Sequence, residues 1–142
     1  MNISTYSFAD VSLVLSHPAI GKYTLTGQGL GSVTVSRAVD NTAHDVAADG
    51  SVMVSKIVTK NGSFSLAIQQ TSEANNWLTK AYNYLMNAPT SEWAKLSGVL
   101  SNPALNETTN MSGVSFVKKP DKSYQQTGQQ IQWAFLAAEI NG

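Results

Sequence analysis

The sequence predicts an α+β domain that is mainly β: an antiparallel β-sandwich or barrel with one flanking α-helix over about residues 72–88. Three observations lead there. Apolar and polar residues alternate with a period of two through much of the first half and again near the end. One central segment has helical spacing instead. The order is therefore strands, one helix, strands, which suits one antiparallel sheet or a sandwich covered by a helix.

The elements follow in order. Val11, Leu13 and Leu15 alternate with Ser12, Val14 and Ser16. His17-Pro18 ends that run, because proline cannot donate to a ladder. Gly27-Gln28-Gly29-Leu30-Gly31 reads as a turn or sheet bend. Val33 and Val35 then alternate with Ser32, Thr34 and Ser36 over strand 31–38. Residues 39–50 are polar, read as a loop, and end in the turn signal Asp49-Gly50. Ser51 to Lys60 alternates again, Asn61-Gly62 is a strong hairpin signal, and Phe64, Leu66 and Ile68 continue the alternation. The expectation is a β-hairpin over 51–69. Its small polar face would carry Ser55, Thr59, Ser63, Ser65 and Gln69.

Ala74, Trp77, Leu78, Ala81 and Leu85 form an apolar stripe at helical spacing. Thr71 or Ser72 would cap the helix, with Glu73 in its first turn. Asn87-Ala88-Pro89 stops it. Tyr82, Tyr84 and Met86 widen the stripe beyond what one sheet face needs. Strands are then expected at Leu96–Leu100, Val114–Val117 and Ile131–Leu136. The basic loop Lys118-Lys119-Pro120-Asp121-Lys122 and the polar run 125–130 lie between the last two.

Length and composition narrow the function. The 142 residues make one domain, 1–142. Charged residues are 13%, about half of the roughly 25% usual in soluble domains. Nine basic and nine acidic residues cancel, while Ser, Thr, Asn and Gln together number 48. A neutral chain is a poor general binder of nucleic acid, since that affinity comes from neutralising phosphates. It also has little self-repulsion, which permits assembly with its own copies. No apolar run approaches the ~18 residues of a membrane span. The opening MNISTYSFAD lacks the pattern of a signal peptide. With no cysteine there are no disulfides, thiolate metal sites or thiol nucleophiles.

Catalytic chemistry finds little support. The histidines are His17 and His44. His44-Asp45, near Asp40 and Asp49, could in principle serve a hard metal or acid–base step, but a solvated or interface loop fits better. No Gly-x-Ser-x-Gly elbow is present. The Gly27-x-Gly29-x-Gly31 series lacks the helix and lysine of a phosphate cradle. No enzyme, cofactor or metal is expected.

Certain stretches resemble a structural-protein family of contractile-tailed bacteriophages. They are Thr5-Tyr6-Ser7-Phe8-Ala9-Asp10-Val11, His17-Pro18, His44-Asp45-Val46-Ala47-Ala48-Asp49-Gly50-Ser51-Val52-Met53, and Pro120 through Trp133. The resemblance implies a tail tube protein, of the superfamily shared with type VI secretion and pyocin tube proteins. It implies hexameric rings stacked into a hollow tube that conducts DNA inside a contractile sheath. The partners implied are other copies, the sheath protein, baseplate and tail terminator proteins, the tape measure protein and passing DNA, with no membrane. The setting implied is a virion assembled in the host cytoplasm. A tube initiator, terminator or baseplate module of the same fold is the alternative. In this picture Asp40, His44, Asp45 and Asp49 sit in a ring-stacking loop. Ser55, Thr59, Ser63, Ser65 and Gln69 line the lumen. Trp77, Leu78, Tyr82 and Leu85 belong to an outer helix.

Overall fold

The structure is a computed structural model that describes residues 1–27 and 29–142. Seven strands form one sheet in the order β2-β1-β7-β8-β9-β6-β3, and every neighbouring pair is antiparallel. They are β1 (Ser12–His17), β2 (Gly21–Leu25), β3 (Leu30–Arg37), β6 (Gly62–Gln69), β7 (Leu96–Asn102), β8 (Glu107–Phe116) and β9 (Gln130–Asn141). A separate ribbon pairs β4 (Thr42–Val46) with β5 (Val52–Lys56). The helix is α1 (Ala74–Asn87). The sheet does not close on itself. β2 and β3 are free edges, and the architecture is sandwich-like rather than a barrel.

The core follows from the alternation. Leu13 and Leu15, Phe64, Leu66 and Ile68, and Ile131, Trp133 and Phe135 all turn to one face. There they join Ala74, Leu78, Ala81 and Leu85 of α1 in a single cluster. Aromatic rings fill its middle. Phe64 stacks on Phe135 at 4.7 Å, and Phe116 meets Trp133 and Phe135 at 5.8 and 4.8 Å. Such offset and edge contacts contribute about 0.5–1.5 kcal/mol beyond burial. The helix also reaches the β2 edge, where Trp77 lies 5.6 Å from Tyr23.

Several expectations are corrected. Residues 51–69 are not a hairpin. β5 pairs with β4, whereas β6 lies between β3 and β9. Asn61-Gly62 makes no tight turn. A Cβ on Gly62 would collide with the carbonyl oxygen of Ser36 and come within 2.8 Å of Ile140 Cδ1, so glycine is required there by close approach. Strand β5 ends at Lys56 instead of Lys60. Residues 39–50 are not simply a loop, since 42–46 form a strand. The Asp49-Gly50 turn is present, with Gly50 at φ 91°. The bend near Gly31 appears as a register shift between Leu30 and Ser32; Gln28 of that series lies outside the described residues. Glu73 takes the N-cap position without a side-chain cap bond, and Ser72 Oγ accepts from the Ala74 N–H at 3.3 Å. β2 has no counterpart among the expected strands, and β8 and β9 are longer than their apolar patterns.

Candidate assembly surfaces

The outward face of β3, β6 and β9 is built by strict alternation. Three cross-strand rows cover it: Ser32–Ala67–Gln132, Thr34–Ser65–Ala134 and Ser36–Ser63–Leu136. None of these side chains ionises. Serine pairs continue the theme elsewhere on the sheet, with Ser12 Oγ and Ser101 Oγ 2.8 Å apart and Ser16 Oγ and Ser97 Oγ 2.9 Å apart. A face of hydroxyls, an amide, alanines and one exposed leucine, Leu136, carries no charge to attract a polyanion.

Of the five residues expected on this face, the structure brings Ser63, Ser65 and Gln69 together on β6. It puts Ser55 on the ribbon and Thr59 in the connection back to the sheet. The rest of the face comes from β3 and β9. The alternation of Ile131, Trp133 and Phe135 marked the outward Gln132 and Ala134; only the pairing of β9 with β6 puts them beside Ser63 and Ser65.

The ribbon projects beyond the end of the sheet where β3 exits and β6 enters. Asn41 fastens its base, donating from Nδ2 to the carbonyls of Ile57 at 2.8 Å and Thr59 at 3.1 Å. The pairing Thr42–Lys56, His44–Val54 and Val46–Val52 puts these six side chains on one face. Ala43, Asp45, Met53 and Ser55 occupy the other. Every residue of both strands is exposed, including Val46 at 64%, Val52 at 51% and Val54 at 63%. A lone two-stranded ribbon is marginal in water. Covering each valine would contribute about 1.5–3 kcal/mol at full burial.

Asp40, His44, Asp45 and Asp49 therefore lie along one projection but do not converge. His44 and Asp45 face opposite sides. Asp49 Oδ1 accepts the Ser51 backbone N–H at 2.9 Å in the tip turn. That bond, with help from the Ser51 side chain, holds the Asp49 carboxyl below the usual carboxylate range. Among the described residues no group of three or more His, Asp or Glu side chains could hold a metal ion. Among the described residues no helix is long and apolar enough to cross a membrane. Lys56 is exposed at the base of the ribbon.

The helix divides its side chains between the core and solvent. Leu78 and Leu85 are buried in the core and cannot meet a partner, and Trp77 and Tyr82 are half-buried. The exposed apolar groups are Tyr84 at 44% and Met86 at 57%. His17 is likewise structural. Its Nδ1 accepts the Ala19 N–H at 3.0 Å while Nε2 donates to the Glu92 carbonyl at 3.1 Å, which fixes the tautomer and closes the β1–β2 turn.

Comparison with known proteins agrees with this architecture. A family model described as "Bacteriophage PhiTE tail tube protein" matches residues 3–142. Among solved structures, a chain of the six-fold symmetrised anti-feeding prophage baseplate superposes with TM-score 0.64 at 11% identity, covering 99% of this chain and 96% of that one. A chain of the anti-feeding prophage tube-terminating cap gives 0.57 at 10% identity, covering 99% and 91%. A chain of the sheath/tube terminator of the extracellular contractile injection system PVC gives 0.55 at 13% identity, covering 99% and 96%. At these identities the likeness is one of fold. No curated protein matches significantly.

Proposed function

The chain belongs to the bacteriophage PhiTE tail tube protein family, and from that we propose that it is the structural subunit of a contractile phage tail tube. Hexameric rings of the chain stack into a hollow tube. The sheath surrounds it, and baseplate and terminator proteins meet its ends. The tape measure protein and then DNA pass through the lumen. The subunit assembles in the host cytoplasm and works in the virion, without cofactor or catalysis.

The observation that carries this reading is the uncharged outward face of β3, β6 and β9. In an isolated domain such a face needs dense Lys and Glu for solubility. As the wall of a pore it lets DNA slide, because it offers no cation for phosphate to grip. The free edges β2 and β3 support the same reading. Unpaired strand edges are hazards unless a neighbour covers them, and joining edges around a ring removes them. The exposed ribbon supplies a contact to a further copy. Contacts between unlike surfaces do not close and so propagate a filament.

Negative-stain microscopy of the purified, concentrated chain tests the proposal. Long hollow rods are expected. Isolated rings that never lengthen would instead identify a tube initiator, terminator or baseplate module of the same fold.

A further inference from the structure

The two histidines of the chain sit in opposite surroundings. His44 stands in solvent on the ribbon, whereas the His17 side chain is fully buried. His17 ends β1, just before the turn that leads into the edge strand β2. Both of its ring nitrogens are in use. Nε2 donates to the carbonyl of Glu92, in the 3-10 turn Thr90–Glu92 that follows α1, and Nδ1 accepts the Ala19 N–H. One ring thus fastens the β1–β2 turn to a piece of chain 75 positions away.

The ring can make both bonds only while it is neutral. An imidazolium carries a proton on each nitrogen and has no acceptor left. Its Nδ1 proton would point at the Ala19 N–H, donor against donor, with no water to take either. The surrounding charges offset this only in part. Glu92 Oε2 lies 3.7 Å from Nε2, beyond hydrogen-bond reach, and Lys95 Nζ holds the other oxygen of that carboxylate at 3.2 Å. From α1 the Tyr84 ring meets the imidazole edge-on at 6.1 Å. β7, the other neighbour of β1, has no ionisable residue. Lys22 of β2 pairs with Ser16 and so lies on the opposite face of the sheet from His17.

We infer that His17 is an acid-sensitive latch. Neutral, it holds the β1–β2 turn against residues 90–92; protonated, it lets the turn go. The latch is closed on the alkaline side of histidine titration, which spans about pH 5 to 8, and opens as pH falls through that range. The consequence falls on a free edge. β2 pairs with β1 alone, and α1 touches it where Tyr23 lies 5.6 Å from Trp77. An edge held by so little opens locally at low free energy, while β6, paired on both sides, takes no part. This device belongs to the single chain and stands apart from the tube reading.

Hydrogen exchange read by mass spectrometry tests the latch in the full chain, free or assembled. After correction for the intrinsic rate, protection of the Ala19–Tyr23 amides should fall about tenfold or more from pH 7.5 to pH 5. Protection of Phe64–Ile68 should stay constant. His17→Asn puts an amide oxygen near the place of Nδ1, where it can accept the N–H two residues on without titrating, so the acid step should vanish. Glu92→Gln keeps the carbonyl bond and removes the anion that eases protonation, so the midpoint should move to lower pH. Equal wild-type protection at both pH values overturns the inference. So does a loss shared equally by Phe64–Ile68, or a folded His17→Asn chain that keeps the full acid step. Should His17→Asn fail to fold, Glu92→Gln decides alone: a midpoint at or above that of wild type overturns the latch.

Discussion

The indole Nε1–H of Trp133 donates to Oδ1 of Asn75 at 3.0 Å inside the fold. Asn75 also donates from Nδ2 to the carbonyls of Gln69 at 2.9 Å and Ser72 at 3.3 Å. One buried amide thus ties the first turn of α1 to the last strand and to the end of β6. Asn75→Leu leaves the indole N–H without a partner in an apolar interior, while the Gln69 carbonyl keeps the Ser72 N–H at 3.0 Å. Each buried unsatisfied group costs about 1–3 kcal/mol. Chemical denaturation followed by tryptophan fluorescence should show a loss in that range.

The glycines at the two ends of the ribbon should behave differently. Gly62→Ala drives a methyl into the Ser36 carbonyl and Ile140, so it should lower the melting temperature of the whole domain; overpacking of this kind costs about 1–3 kcal/mol. At Gly50 a Cβ meets open space, but φ is 91°. Gly50→Ala should leave the melting temperature near wild type and weaken assembly. Thermal unfolding paired with sedimentation separates the two effects.

Removal of the ribbon should separate folding from assembly. Replacing Thr42–Lys56 by a short Gly-Ser linker takes away no core residue. Circular dichroism should show a folded sheet with a cooperative melt, while microscopy shows no long rods. Shortening by Ala43–Ala48 alone should have the same effect, because it leaves β5 without its partner.

The tip turn should resist acid. Asp49 has its carboxyl held below the usual range, chiefly by the Ser51 backbone N–H. A depressed folded value means that the turn is fully stabilised above the unfolded value of about 3.9. The stabilisation fades as pH falls through the folded value. In an NMR titration the Ser51 amide should therefore begin to move only below the ordinary aspartate range, and Asp49→Asn should flatten that titration.

Local periods in the sequence specify β1, β3, α1 and the core of β9, because each depends on which face its own residues turn inward. Strand partners are another matter. Val52–Lys56 and Gly62–Gln69 both alternate and flank Asn61-Gly62, so a hairpin is the locally consistent reading. The tertiary fold instead seats β6 between β3 and β9, and Gly62 serves close approach rather than a turn. β2 escapes notice because an edge strand with Lys22 and Thr24 exposed and Tyr23 half-buried has little apolar alternation. Glu107–Asn110 is polar yet forms strand, since ladder bonds to β7 hold its backbone. The acidic cluster 40–49 and the basic cluster 118–122 are plain in the sequence.

A cryo-EM reconstruction of particles grown from the purified chain tests the central claim most directly. Stacked hexameric rings in a continuous tube are expected, with Ser63, Ser65, Gln132 and Ala134 facing the lumen and Tyr84 and Met86 facing outward. A tube whose lumen is lined by other surfaces, or a chain that forms no stacked rings, would contradict it.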